Sequence, residues 1–246
     1  MICHEIKEEA FKLAQDKTVT RLTCGPYFAA VSLSDGSCGL SFQFPYNSHF
    51  GEEMMGISGS ASGRPASEFC DYICSVGLQS SAIGIALANA LTANTREGLP
   101  GGDFYDYINI TKNDAVGIIG NFGKMNSKIE EMCGELRVFE LNPTGKQYPA
   151  HSEPLLLPGC DIVVITASTL VNKTVDHIID SCKNAREIVL LGPTAVDMPE
   201  VFKKHGFTYI CGAVVEKPQL AHSIISEGAN GAVVIKKTTR AFTRKL

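Results

Sequence analysis

The stretch DIVVITASTLVNKTVDHIIDSC (161–182) indicates the fold class of this chain. It opens with a short apolar segment and continues, after a polar loop, into an amphipathic pattern. Similar apolar segments are AVGIIGNF (115–122), LRVFEL (136–141), EIVLLG (187–192), YICGAVV (209–215) and AVVIKK (232–237). Short apolar strands that alternate with amphipathic helices are typical of a parallel sheet covered on both faces. The pattern therefore predicts an α/β protein with these segments as strands.

Amphipathic segments separate most of these strands. They are MNSKIEEMC (125–133), VDHIIDSC (175–182), MPEVFKKHG (198–206) and LAHSIISEG (220–228). Asp197 and Glu200 are expected to complement the dipole at the start of a helix. His222 is expected to pack or to face solvent. Each segment is therefore predicted to be a helix that covers the sheet.

The first 112 residues follow a different pattern, in which helices flank a meander of strands. The strands are VTRLTCG (19–25), YFAAVSLS (27–34) and CGLSFQF (38–44), and the Asp-Gly turn after the second strand predicts a hairpin. Helices are expected at about 4–16, at 65–76 with Ser67 as a possible cap, and at 80–94, whereas 56–65 is expected to be a loop. A change of pattern near Asn113 divides the chain into domains 1–112 and 113–246.

Composition excludes several classes of function. The net charge is −4 and basic residues do not cluster before the last few positions, so no nucleic-acid partner is expected. The basic C-terminal residues are interpreted as a solvated terminus. No export signal or apolar run of about 18 residues is present, so we expect no membrane partner and a cytoplasmic location. The nine cysteines and six histidines are dispersed, so the thiols are expected to be free and no structural metal site is predicted.

Small and polar residues follow several of the predicted strands. In an open α/β sheet, ligands bind outside the carboxyl ends of the strands. Glycines at 117, 120 and 123 let the backbone approach a ligand or let a strand pack against a helix, but their spacing is not the dinucleotide fingerprint GxGxxG. Glu140 lies where nucleotide-binding folds place a ribose-binding acid, although any second strand can end in a surface glutamate and that interpretation is somewhat favoured. This edge of the sheet is predicted to hold a small molecule.

Two interpretations remain open for the polar residues of this region. Thr166, Ser168, Thr169, Asn172 and Thr174 precede a helix and are more numerous than capping requires, which favours contacts with a ligand. Asn89 lies in an apolar helix and either bonds a neighbouring loop or reaches the ligand. No nucleophile, acid or base is identified by a motif, and no cofactor is identified.

Three long runs carry a family resemblance: VGIIGNFGKM (116–125), LRVFELNPTGKQYPAHSEPLLLPGCDIVVITASTLVNKT (136–174) and IVLLGPTAVDMPEVFKKHGFTYICGAVV (188–215). With SEFCDYICSVGLQSSAIGIALANAL (67–91), they make the chain resemble a family of heavy-metal chelatases over roughly residues 10 to 230. The resemblance implies an N-terminal α+β domain like that of enolases and a C-terminal Rossmann-like domain, with a site in the cleft between them. The positions that match the family's site are Asn89, Gly120, Asn121, Phe122, Glu140, Thr166, Ser168, Thr169, Asn172, Thr174, Gly192, Pro193 and Thr194. The chain departs from the family at Asn121, where histidine is expected, and at Ala167, where glycine is common.

The resemblance implies one main function and two alternatives. The main hypothesis is an enzyme that hydrolyses or condenses a pterin-like or siderophore-like metabolite in the cleft. The second is a carrier that binds a metal chelate without turnover, which would explain the missing acid–base pair. A methyltransferase or nucleotide-cofactor enzyme, which rests on fold analogy, ranks last. The oligomeric state is left open, including a homo-oligomer.

Overall fold

The computed structural model describes residues 1–44 and 56–246 as a mixed α/β protein with two sheets. The smaller sheet is an antiparallel meander in the order β1-β2-β3. Its strands and the helices that pack on it are α1 (Ile2–Leu13), β1 (Val19–Cys24), β2 (Phe28–Leu33), β3 (Cys38–Phe42) and α2 (Leu78–Leu91). The predicted hairpin turn is confirmed, and Gly36 adopts a φ of 84° that glycine accommodates without strain.

The segment predicted as a helix at 65–76 is a 3-10 helix, Ala66–Cys74, and not an α-helix. Pro65 occupies the capping position without a side-chain bond, so the expected cap at Ser67 is wrong. The buried residues Ala66, Phe69 and Ile73 recur at spacings of three and four. Such spacing fits both kinds of helix, so the pattern could not separate them.

The larger sheet has seven strands in the order β10-β9-β8-β7-β4-β5-β6. Strands β4 to β9 run parallel, and β10 pairs with β9 in antiparallel fashion. The strands are β4 (Ala115–Ile119), β5 (Glu135–Glu140), β6 (Tyr148–Pro149), β7 (Ile162–Thr166), β8 (Glu187–Leu191), β9 (Tyr209–Val215) and β10 (Thr239–Lys245). The helices are α3 (Lys124–Met132), α4 (Glu153–Leu156), α5 (Val175–Asp180), α6 (Pro199–Lys204), α7 (Pro218–Ser226) and α8 (Gly231–Thr238). Across 1–44 and 56–246, no helix combines the length and apolar character that a membrane span requires.

The C-terminal region differs from the prediction. AVVIKK, expected as a strand, lies within α8, where the Asn230 side chain caps the helix by accepting a hydrogen bond from the Val233 amide at 3.1 Å. The last strand is instead β10, whose Phe242 is fully buried. A short β-branched run fits a strand or a buried helix, and the cap decides between them. The basic terminus is therefore an edge strand of the sheet and not a solvated tail.

His222 of α7 ties the C-terminal helices to the small sheet. The ring lies 2.8 Å from the hydroxyl of Ser32 and 2.8 Å from that of Thr23, and only 1% of the residue is exposed. Burial lowers the pKa of His222 to about 4, and the positive charge of Arg21 acts in the same direction. The sequence left open whether His222 packs or faces solvent, and it packs.

This burial predicts a pH dependence of stability. The unfolded chain binds a proton at His222 near pH 6.5 that the folded chain rejects until about pH 4. We therefore expect the free energy of unfolding to fall, as pH drops through this window, by on the order of 2 kcal/mol from this residue. In urea unfolding followed by circular dichroism, His222→Gln should remove that part of the fall, and exposed His177→Gln should not. An unchanged pH profile in His222→Gln would contradict the assignment.

Candidate functional site

A cavity of about 690 Å³ lies at the carboxyl ends of the parallel strands. It spans the loops after β4 and β7, which are adjacent strands on either side of the point where the chain order reverses. Ligands of open α/β sheets bind at such points, and the volume suits a small organic molecule. The predicted site residues that line it are Gly120, Asn121, Phe122, Glu140, Thr166, Ser168, Thr169, Asn172, Thr174, Gly192, Pro193 and Thr194.

The facing wall of the cavity is aromatic and comes from the small sheet. Phe28, Phe42 and Phe44 line it, together with residues of α8. The Phe42 ring meets the Phe28 ring edge-on at 6.1 Å and the Phe44 ring at 5.3 Å between centroids. Sequence analysis missed these rings as site residues. Alternation of Phe42 and Phe44 in the strand predicted at 38–44 indicates a shared face but not what that face meets, and β3 itself ends at Phe42.

The conformation of the loop after β4 requires a glycine at position 120. Its φ is 97°, and a Cβ atom there would lie 3.1 Å from the Thr166 side chain of β7. Glycine thus allows β4 and β7 to approach closely at the cavity floor. Beyond it, the Asn121 side-chain oxygen accepts hydrogen bonds from the Gly123 amide at 3.0 Å and from the Asn126 side chain at 3.1 Å. Asn121 therefore shapes this loop with its oxygen.

Most polar groups in the loop after β7 bond to one another. The Thr169 hydroxyl donates to the Thr166 carbonyl at 2.7 Å, and the Thr166 and Ser168 hydroxyls lie 3.1 Å apart. The Asn172 side-chain oxygen accepts from the amide and the hydroxyl of Thr174 at 3.2 and 2.8 Å. The surplus of polar residues noted in the sequence is therefore largely explained by the conformation of the loop.

Lys173 anchors the same loop to the N-terminal region. It adopts a φ of 65°, and its Nζ donates to the Ile73 carbonyl, the Ser81 hydroxyl and the Leu170 carbonyl at 2.6, 2.6 and 2.8 Å. Burial lowers the pKa of Lys173 to about 8. Three acceptors satisfy all three ammonium donors, so this lysine holds the cavity floor in place and does not line it.

Asn89 is the one predicted site residue that does not line the cavity. Its side-chain nitrogen donates to the carbonyls of Leu40 and Thr194 at 2.9 and 3.1 Å, and its oxygen accepts from Arg96. The Thr194 hydroxyl in turn accepts from the Phe42 amide at 2.8 Å. Of the two interpretations of this buried amide, the structure supports the bond to neighbouring loops: Asn89 positions Thr194 and Phe42 from behind the wall.

Two carboxyl groups face the cavity. Glu140 ends β5 and is half-buried, whereas Glu153 begins α4 and is only 6% exposed. Burial alone raises the pKa of Glu153 to about 7. A buried carboxyl near half-protonation at neutral pH is a common property of functional groups. Sequence analysis missed Glu153, which no motif marks.

The side chains around the cavity also define its charge. Among its described lining residues there are two carboxyl groups and no lysine, arginine or histidine. Such a lining disfavours an anionic ligand and suits a neutral or cationic one. The lining also offers oxygen donors without cysteine or histidine, whereas heavy metals prefer sulfur and nitrogen. The described cavity therefore fits an organic molecule better than a bare heavy-metal ion.

Comparison with known protein families assigns the chain to one of them. Sequence profiles of two families, DUF364 and DUF4213, both described as "Putative heavy-metal chelation", match residues 103–244 and 7–92. The first match covers more than half of the protein. The chain belongs to the DUF364 family. The resemblance found in the sequence is confirmed at the level of this family.

Similar proteins match this chain over almost its whole length. A protein of Methanocaldococcus jannaschii described as uncharacterised is 26% identical over 263 residues, covering 100% of this chain and 98% of its own length. A DUF364 protein of unknown function from Desulfitobacterium hafniense is 25% identical, with a TM-score of 0.85 and coverage of 99% and 98%. A DUF364 protein from Pyrococcus horikoshii, 24% identical over the full length of both chains, shares the fold with a TM-score of 0.84. The family description thus suggests heavy-metal chelation, and these relatives add no substrate.

Proposed function

We propose that the cavity binds a planar, neutral or cationic organic metabolite of the chelator type, and that Glu153 exchanges a proton with it. The observation that carries the proposal is the buried Glu153 carboxyl in the wall of a cavity that aromatic rings also line. Phe28, Phe42 and Phe44 suit the faces of a ring system, as in a pterin-like or aromatic siderophore-like compound. The oxygen-rich edge of the sheet would orient its polar groups.

A proton-exchanging carboxyl favours an enzyme over a carrier. A group with a pKa of about 7 is populated in both protonation states at neutral pH, which suits general acid–base catalysis of hydrolysis or condensation. In a carrier, the same carboxylate would serve only as a charge partner for a cationic ligand or a metal chelate. These alternatives differ in whether product forms.

One observation favours a second candidate, a nucleotide cofactor. Glu140 ends the second strand of the parallel sheet and lines the cavity, as a ribose-binding acid would. The loop after β4 lacks the GxGxxG spacing, and the lining lacks described basic residues. We therefore rank a nucleoside-type cofactor below the chelator-type ligand.

The domain assignment is part of the proposal. We infer domains 1–112 and 113–246, the second Rossmann-like because β6, β5, β4, β7, β8 and β9 lie in the order 3-2-1-4-5-6 of the doubly wound fold. The antiparallel meander followed by helices supports an enolase-like N-terminal domain. Both segments contribute to the cavity wall, which agrees with a ligand in an interdomain cleft.

Glu153→Gln should stabilise the protein while impairing its function. The folded-state pKa is raised from 4.5 to about 7, so the charged form costs stability increasingly as pH rises through this window. Above pH 7, we expect Glu153→Gln to raise the free energy of unfolding by on the order of 2 kcal/mol, discounted for solvent at the cavity mouth. Below pH 4.5 the gain should vanish. Glu130→Gln, at an exposed position of α3, should show no gain, and an equal gain in both variants would contradict the assignment.

Native mass spectrometry of gently purified protein tests binding first. A retained organic mass, with or without metal, identifies the ligand class; Phe42→Ala should lose it, and exposed Phe11→Ala should keep it. If the protein is ligand-free, thermal-shift screening should find stabilisation by neutral or cationic planar compounds. Stabilisation by anionic compounds alone would overturn the proposal, as would retention of the ligand by Phe42→Ala.

The identified ligand then allows a test of catalysis. In an enzyme, Glu153→Gln should abolish product formation but retain binding, because the amide keeps the size of the side chain and cannot exchange the proton. Product formation by wild type that is unchanged in Glu153→Gln would exclude the assigned role. Binding without product in wild type would identify a carrier.

A further inference from the structure

A cluster of thiophilic metal ligands lies outside the cavity. Within residues 1–44 and 56–246, one group of three or more potential ligands brings together Cys3, His4 and Cys74, whose ligand atoms all lie within 4.8 Å of one another. None of the three lines the cavity. The cluster forms where α1 packs against the 3-10 helix Ala66–Cys74, with all three residues at helix ends.

Apolar packing holds the two helices in this arrangement. Ile2 and Ile6 of α1 and Phe69 and Ile73 of the 3-10 helix are buried in the same core cluster. The Ile2 amide also donates a hydrogen bond to the Asp176 carboxylate at 2.9 Å, which secures the start of α1 to α5. Rigid helices therefore present the three donors, and the donor positions do not depend on a loop.

The donor set has the chemistry and nearly the spacing of a metal centre. In tetrahedral zinc sites, bonds of about 2.3 Å to sulfur and about 2.0 Å to nitrogen place neighbouring donors roughly 3.5–3.8 Å apart. The observed upper limit of 4.8 Å thus requires a contraction of about 1.3 Å or less, within reach of side-chain rotation. Two thiolates and an imidazole favour thiophilic or borderline cations over magnesium or calcium.

The exposure of the three residues adds to this pattern. Cys3 is buried, Cys74 is half-buried and His4 is exposed, so the cluster opens to solvent on the histidine side. Burial and the neighbouring Cys3 thiol raise the pKa of the Cys74 thiol to about 12, so metal binding has to displace its proton. A three-ligand centre that opens to solvent has room for a water molecule or an exchanging ligand in the fourth position.

We propose that Cys3, His4 and Cys74 form a binding site for one d10 divalent cation such as Zn²⁺ or Cd²⁺. Binding forms two metal–sulfur bonds and one metal–nitrogen bond and releases the two thiol protons to solvent. The sequence predicts no such site. His4 and Cys74 are separated by 69 positions, and the chain has no CxxC pair that would indicate a metal site. The site is separate from the cavity and independent of the function proposed for it.

Cobalt(II) titration of the full chain under anaerobic, reducing conditions tests the site. We expect one equivalent to produce thiolate-to-cobalt charge-transfer absorption, which Zn²⁺ or Cd²⁺ displaces. Cys3→Ser and Cys74→Ser should each lose that absorption. Cys24→Ser, at another half-buried cysteine outside the cluster, should retain it.

His4→Ala keeps the test valid if a cysteine variant fails to fold. Because His4 is exposed, the substitution should leave the circular dichroism spectrum and the thermal midpoint unchanged. Metal affinity should nevertheless fall by more than the ~10–100-fold that loss of an outer-shell contact costs. Absence of charge-transfer absorption in wild type, its persistence in folded Cys3→Ser or Cys74→Ser, or unchanged affinity in His4→Ala would overturn the proposal.

Discussion

Asp197→Asn is expected to reduce the free energy of unfolding by about 3 kcal/mol, because it removes the charge that compensates the buried Arg96 and the partly buried Arg244. The Asp197 side chain is fully buried and accepts hydrogen bonds from the Arg244 Nε at 2.6 Å, from its Nη2 at 2.9 Å and from the Thr95 hydroxyl at 2.6 Å. Its charge also acts on Arg96, whose pKa burial lowers to about 10.

Arg96 makes this network costly to disturb. Only 1% of the residue is exposed, and its guanidinium donates to the Ala213 carbonyl at 3.1 Å and stacks over the Phe242 ring at 5.0 Å. Without Asp197, two neighbouring cations would remain with little solvent to screen them. The expectation that Asp197 merely complements a helix dipole is therefore wrong: α6 begins two residues later, and the carboxylate joins β10 to the segment after α2.

Urea unfolding followed by circular dichroism measures this effect. Glu135→Gln is the matched control, because Glu135 is half-exposed and pairs with Arg137 at the surface. Surface ion pairs contribute about 0–1 kcal/mol to stability, so Glu135→Gln should lower the free energy of unfolding only slightly. In a double-mutant cycle, Arg244→Gln and Asp197→Asn should be strongly non-additive. A loss below 1 kcal/mol in Asp197→Asn would show that the network is not a major source of stability.

Gly84→Ala is expected to destabilise the protein by at least about 3 kcal/mol or to prevent folding, although alanine is the better helix former. Gly84 lies in the middle of α2, where an added Cβ would come within 2.2 Å of the Ile73 backbone nitrogen and 2.4 Å of the Tyr72 carbonyl carbon. Both of these atoms belong to the backbone, so the clash cannot be relieved by rotation of a side chain. In an unhindered helix, the same substitution would gain about 1 kcal/mol.

The fraction of soluble protein and the urea midpoint measure this prediction. Gly56→Ala is the control, since Gly56 has no positive φ and an added Cβ would meet no atom of the described residues within 4 Å. We expect the soluble fraction and the urea midpoint of this control to be close to those of wild type. If Gly84→Ala were as stable as wild type, α2 and the 3-10 helix would have to lie further apart than described, and the packing that places Cys74 near α1 would need revision.

The parallel sheet could be predicted from the sequence because its strands are continuous apolar runs. DIVVIT and EIVLLG are buried on both faces of the sheet, so their pattern does not depend on the surrounding fold. β10 was missed, since only Phe242 and Thr243 of TRAFTRK are buried and its charged residues resemble a solvated end. AVVIKK was assigned wrongly because β-branched residues fit a strand and a short packed helix equally well.

The candidate site was predictable only on the side that the sheet supplies. Gly120, Thr166 and Gly192 follow parallel strands, and chain order alone places them at one edge. The aromatic wall could not be inferred, because the small sheet meets that edge only after folding. Glu153 and the ligand cluster of Cys3, His4 and Cys74 depend in the same way on packing between segments distant in sequence.

The sequence by itself determined the alternation of strands and helices and the edge of the sheet where polar residues collect, since these follow from local hydrophobic periodicity and strand direction. Only the tertiary structure decided which groups are buried and which neighbours they meet. It placed Asn89 behind the cavity, Glu153 in its wall, and Asp197 between two arginines. The physical reason is that burial, and with it the pKa of an acid or the cost of a charge, depends on contacts between distant segments, which no local pattern records.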